Sequence, residues 1–168
     1  MTERRDEVDG LVAAWGRERP DLDVSPMQVL SRMTRLARHL DRERRAAFAA
    51  HDLESWEFDV LAALRRAGPD VRLTPGQLIK ETMVTSGTMT NRIDRLAARG
   101  LVAREDHAAD RRVVLVRLSD AGRDAVDAAM SDLMAAERRL LADLPDERRN
   151  RLASALRELL APYDRSGP

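Results

Sequence analysis

The chain has 168 residues, 43% of them hydrophobic and 35% charged, enough for one buried core or for one domain with helical arms under a charged surface. Its 29 basic and 29 acidic residues cancel, and the lack of cysteine removes disulfides, thiolate catalysis and thiolate metal sites. No apolar run approaches the roughly 20 residues that span a bilayer, and the charged start MTERRDEVDG lacks the apolar centre of a signal peptide, so a cytoplasmic protein with no membrane partner is expected.

The zero net charge hides an uneven distribution. Residues 72–118 carry nine basic against five acidic side chains, while 1–71 and 119–168 each carry two more acidic than basic ones. A basic middle between acidic ends is the local pattern that matters for meeting a polyanion.

In chain order, Val8, Leu11, Val12 and Trp15 repeat at helical spacing and predict a short amphipathic helix from about Asp6 to Arg19, stopped by Pro20. Ser25 and Pro26 read as an N-cap and a first-turn proline. The helix they start runs to about Ala50 with Val29, Met33, Leu36 and Leu40 on one stripe. LESWEFDVLAALRRAGPD predicts a third helix with Trp56, Val60, Leu61 and Leu64 inward and Gly68-Pro69 as its stop. Thr74-Pro75-Gly76-Gln77 is a capping box that opens a short helix ending near Met83.

After a tight turn at about 84–86 comes SGTMTNRIDRLAARG, a helix rich in arginine. The alternating runs LVARE and RVVLVRL, separated by DHAAD, predict a β-hairpin. Ser119 caps a long helix to about Ala142, and Pro145 opens a last one with Leu152, Leu156, Leu159 and Leu160 on its buried face, a stripe that a single small domain could hardly cover. YDRSGP reads as a frayed tail. Short helix, turn and longer helix followed by a hairpin make a winged helix-turn-helix.

With Met89 at zero on a helical wheel, Ile93, Leu96 and Ala97 fall within about 80 degrees of it and form the buried face. Thr88, Asn91, Arg95 and Arg99 are expected to point away from the core, and Arg92 sits at the edge of the apolar stripe, about 60 degrees away. Arg95 and Arg99 are therefore expected to meet phosphate, with Ser86, Thr88, Thr90 and Asn91 at the helix start close to base edges. Arg111 and Arg112, at the tip or shoulder of the hairpin, are expected to reach the adjacent minor groove. The competing reading of the helix alone is an ordinary solvated face with a hydroxyl cap.

Residues from about Met27 to Leu160 resemble the MarR family of winged-helix transcription regulators, on SGTMTNRIDRLAARGLVARED, DRRVVLVRLSDAGR and the order of elements. The resemblance implies a mainly α fold with a small β-hairpin wing. It also implies a homodimer whose N- and C-terminal helices form the dimer platform, with two recognition helices in successive major grooves of a palindromic double-stranded operator. The implied organisation is an added helix over 1–24, a dimerisation helix over 25–52, a DNA-binding domain over 53–118, C-terminal dimerisation helices over 119–162 and a tail over 163–168. Repression is the family's usual mode.

The added N-terminal helix is similar to that of the urate-responsive subgroup. That likeness implies a ligand site made of Trp15, Asp59, Arg92 and Arg104, for a small anion such as urate, a purine or a polycarboxylate. Each residue also has a plainer reading: packing for Trp15, a hairpin salt bridge for Arg104, and an ion pair between Arg92 and Asp59. No cofactor is implied. An enzyme finds no support, because His39, His51 and His107 are scattered and no Gly-rich phosphate loop occurs. The same histidines lack metal-ligand spacing. A helical dimeric interaction protein whose winged domain does not bind DNA is the alternative, favoured by the zero net charge.

Overall fold

A computed structural model describes residues 5–69, 71–82, 85–106 and 114–164. Its elements in order are α1 (Glu7–Glu18), α2 (Met27–Ala49), α3 (Ser55–Ala67), α4 (Pro75–Thr82), α5 (Ser86–Ala98), β1 (Val102–Asp106), β2 (Val114–Leu118), α6 (Asp120–Leu140) and α7 (Asp146–Asp164). The strands pair antiparallel with Val102 opposite Leu118 and Arg104 opposite Val116. Leu73 exchanges both backbone hydrogen bonds with Val116, at 3.0 and 2.9 Å, adding a one-residue bridge to the hairpin. None of the described helices is long and apolar enough to cross a membrane.

Helix starts follow their capping chemistry. The Asp6 carboxylate accepts the Val8 and Asp9 N–H groups while Asp9 accepts the Asp6 N–H, a reciprocal cap on α1. The same two carboxylates receive Arg32 of α2, each at 2.8 Å, and Glu7 pairs with Arg35. Beneath these contacts Val8 is buried. Thr74 and Gln77 cap α4 as the sequence predicts. Ser25 does not cap α2. Its N–H is taken by the Asp23 carboxylate, and Pro26 occupies the cap position with no side-chain hydrogen bond there.

The core lies where α2, α3, α5, α6 and the hairpin meet. Phe48 and Phe58 stack with ring centroids 4.0 Å apart, and Leu61, Leu64, Leu78, Met89, Ile93, Leu96 and Val116 are fully buried around them. The apolar periods read from sequence for α3 and α5 thus face inward, except that Trp56 is only partly buried.

The end of α5 is tied to the start of α6. Gly100, at φ 70, lets the Leu101 N–H return to the Leu96 carbonyl, the six-to-one bond of a Schellman cap. Ser119 donates its hydroxyl to the Gly100 carbonyl at 2.6 Å and accepts the Gly122 N–H at 3.0 Å. A Cβ on Gly122 would lie 1.9 Å from the Leu101 carbonyl oxygen. The LSDAG stretch therefore serves as a docking joint between recognition helix, hairpin and long helix.

Two apolar surfaces are uncovered. Val29, Leu30, Met33 and Leu36 of α2 and Leu152, Leu159 and Leu160 of α7 are exposed. Within one chain the α7 leucines stay uncovered, because α7 makes no substantial packing with any other described element. Helix α7 also continues through Tyr163 and Asp164, past the point where the sequence suggests fraying.

Gly122→Ala should cost about 2 kcal/mol or more, because the obstacle is backbone. For a chain of this size that lowers Tm by roughly 4–8 °C. Thermal unfolding followed by circular dichroism measures it, and an unchanged Tm would mean that α6 shifts freely at this joint.

Candidate nucleic-acid interface and ligand residues

Helices α4 and α5 form the helix-turn-helix, with the exposed start of α5 presenting Thr88, Thr90 and Asn91. Ser86 opens the helix. The Thr85 and Thr88 hydroxyls are 2.9 Å apart and bonded to one another. Gly87, Thr88 and Asn91 line a shallow groove with Glu54 and Trp56 of the α3 start.

The arginines of α5 are engaged along its edge toward α3. The guanidinium carbon of Arg95 lies 4.7 Å, and that of Arg92 5.4 Å, from the centroid of the Trp56 ring. Arg95 also donates to Glu54 at 2.9 Å, and the Trp56 indole N–H donates to the other Glu54 oxygen at 2.8 Å. Arg99 does not point away from the core as expected: at 100 degrees per residue it leaves α5 about 80 degrees from Met89, at the edge of the buried face beside Arg92. It donates to the Glu57 carboxylate at 2.6 Å and to both the carbonyl and the carboxylate of Asp52 at 2.7 Å. The helical angle fixes where a side chain leaves the helix, not where a long guanidinium ends. Glu57, 1% exposed, is the buried charged residue among those described, and it also accepts the Glu54 N–H at 2.9 Å.

The opposite edge of α5 faces the hairpin, where Asp94 pairs with Arg104 of β1. At the wing root Glu105 accepts from Arg72 and Arg117, which together hold its carboxyl below the usual carboxylate range. Arg111 and Arg112 lie outside the described residues.

One chain does not gather the four expected ligand residues. Trp15 projects from α1, half exposed, and Arg92 rests on Trp56. Arg104 is bonded to Asp94 of α5 rather than within the hairpin, and Asp59 is 3.9 Å from Arg44 rather than paired with Arg92. Of the four, Asp59 lines a cavity of about 500 Å³ between α2, α3, α4 and α6. Its apolar wall includes Phe58, Met130, Leu133 and Met134, and the pairs Arg65–Asp127 and Arg66–Glu81 stand at its edge. Among the described residues no cluster of His, Asp or Glu could hold a metal ion.

Sequence reasoning missed Glu54, Trp56 and Glu57 as partners of the recognition helix. The available signal was ESWE, a capping-box spacing with glutamate in place of the usual serine or threonine.

The indole and Arg95 contacts hold the Glu54 carboxyl below its ordinary value of 4.5. The cluster is therefore complete above that value and comes apart as pH falls through the depressed one. In a Trp15→Phe background Trp56 is the sole tryptophan reporter, so its emission should titrate with a midpoint below 4.5. Glu54→Gln should remove the step. A midpoint at or above 4.5 would contradict the cluster.

The sequence pattern of the MarR family matches residues 51–113. The chain is 35% identical over 150 residues to the HTH-type transcriptional regulator PecS of Dickeya dadantii (strain 3937), spanning 89% of this chain and 90% of PecS. A mutant MarR of E. coli complexed with operator DNA matches with a TM-score of 0.67 and 25% identity, over 83% of this chain and 99% of that one. BpsR of Bordetella bronchiseptica, whose structure concerns regulation of DNA binding by 6-hydroxynicotinic acid, matches with a TM-score of 0.58 and 28% identity, over 76% and 98%. A helix-turn-helix followed by a hairpin, in a chain related to PecS over nearly its full length, places this protein in the MarR family of DNA-binding, winged helix-turn-helix transcriptional regulators.

Proposed function

We propose that this chain is a ligand-responsive repressor that binds a palindromic operator as a homodimer and leaves it when a small anion binds. The observation that carries the dimer is α7, whose leucines are exposed and which makes no substantial packing with another element among the described residues. Together with the uncovered stripe on α2 they make an apolar surface of the kind that a second copy buries. In such a dimer two α5 helices would meet successive major grooves, roughly 34 Å apart. Thr88, Thr90 and Asn91 would face base edges, with Ser86 at the helix start, and the wing arginines Arg111 and Arg112 would reach the minor groove.

The ligand in this reading enters the cavity beside Asp59. That cavity joins α2 and α6, which belong to the platform, to α3 and α4, which carry the recognition helix. The Arg44–Asp59 pair crosses it and is half exposed, so it is a weak contact. An anion taking Arg44 would displace Asp59 and push α3 relative to α2, which is the differential contact that coupling requires. The apolar wall suits a planar ring such as urate, another purine or a hydroxynicotinate, the last being the ligand in the BpsR work. Trp15, Arg92 and Arg104 lie elsewhere in the single chain and would join the site only through the partner copy or through movement of α5.

The test uses a fluorescent duplex recovered by selection from random sequence, with anisotropy for DNA and tryptophan quenching for urate and 6-hydroxynicotinate. Wild type should release the duplex over the concentration range in which it binds ligand, and bound DNA should weaken ligand by the same factor. Arg111→Ala should weaken DNA binding by about 1–3 kcal/mol. Asp59→Asn should bind ligand at least as tightly yet release far less DNA, and release like that of wild type would contradict the charge mechanism. Failure to bind any duplex would point instead to a helical dimeric interaction protein.

A further inference from the structure

Arg99 is the residue in the recognition helix whose surroundings are most completely built. It occupies the C-cap of α5, and its guanidinium reaches three acceptors on two other segments. One is the Glu57 carboxylate on the first turn of α3. The others are the carbonyl and carboxylate of Asp52, in the turn that joins α2 to α3. Asp52 has φ 56, the left-handed conformation of the Schellman cap that ends α2, where the Leu53 N–H returns to the Phe48 carbonyl at 3.0 Å. Arg99 grips this cap with two hydrogen bonds from one guanidinium nitrogen.

We infer that Arg99 is a positioning residue, a strut that sets the recognition helix against the end of the α2 dimerisation helix, and not a phosphate contact. The inference rests on the DNA-binding reading and goes beyond it, because it assigns this arginine to orientation. Three physical arguments support it. Glu57 is almost wholly buried, so it needs a cation, and Arg99 is the cation bonded to it. Moving Arg99 to a phosphate would leave that charge stranded. The planar fork satisfies acceptors on two segments at once, which the point charge of a lysine does not. Finally, the joint ties the last turn of α5 to the α2–α3 turn, so a tilt of α2 is delivered to the helix that meets DNA.

The strut and a phosphate contact predict opposite results. Removing a phosphate contact lowers the slope of log affinity against log salt by about one, whereas removing a strut lowers affinity at every salt and leaves the slope alone. Mutations along a coupling joint typically shift affinities by about 2- to 30-fold. The experiment measures anisotropy on the selected duplex at four salt concentrations, with all variants in a Trp15→Phe background so that Trp56 alone reports.

Arg99→Gln, Arg99→Lys and Glu57→Gln should each weaken binding about 2- to 30-fold with the parent slope, and Arg99→Gln decides the slope because it removes the charge. All three should also change the emission or acrylamide quenching of Trp56 in the folded protein, because the ring lies between α3 and α5. Asp52→Asn keeps the turn's carbonyl contact and removes one exposed carboxylate, so it should fold even where the others fail and give a smaller loss of the same kind. Three results would overturn the strut. One is a slope reduced by about one in Arg99→Gln, which removes the charge that Arg99→Lys keeps. Another is tighter or unchanged DNA binding in Glu57→Gln, which would free Arg99 for phosphate. The third is an unchanged Trp56 signal in folded variants, which would leave Arg99 with a stabilising role alone. If the Trp15→Phe parent binds no duplex, the DNA-binding reading fails first, separately from the strut.

Discussion

Glu57 is buried, and a buried carboxylate without a cation would be costly enough to reorganise the fold around it. Its position fixes much else. Because it reaches back to the Glu54 N–H, it defines the first turn of α3. Because it must be neutralised, it draws Arg99 inward and with it the end of α5. Arg99 in turn holds Asp52, which sets the angle at which α2 passes into α3. One ion pair thus relates three elements whose mutual orientation decides where a recognition helix points.

The chain's zero net charge now has a physical account. The arginines of the basic middle segment are largely spent inside the domain, on Trp56, Glu54, Glu57, Asp94 and Glu105. What the start of α5 offers outward is small and uncharged, Gly87, Thr88, Thr90 and Asn91, with Arg95 exposed one turn further on. Short hydrogen-bonding side chains of this kind suit close approach to base edges. Attraction to phosphate in the proposed complex then depends on the wing and on arginines at the margins of the domain. It would fall with added salt like any such contact.

Much of this was legible in the sequence. Caps such as Thr74–Gln77 and the serine of LSDAG are local patterns, and local patterns survive folding. The buried faces of α3 and α5 followed from periodicity for the same reason. The acceptors of Arg99 did not, because an angle about 80 degrees from Met89 places it at the edge of the buried face and says nothing of a flexible reach to a carboxylate far along the chain. Ser25 failed as a cap because Asp23, two residues earlier, engages its hydroxyl as well as its N–H, and Pro26 takes the cap position. The four-residue ligand set came from resemblance, and a single chain separates its members. The leucines of α7 read as a face too large for one small domain to cover, and periodicity does not say whose surface covers it.

The central claim is that two copies of this chain present two braced recognition helices to one duplex. In vitro selection from random double-stranded DNA, followed by sequencing of the bound pool, tests it most directly. The account predicts an enriched inverted repeat with half-site centres about 10 base pairs apart, one turn of the helix. A single unrepeated motif, or a pool with no enriched sequence, would contradict it.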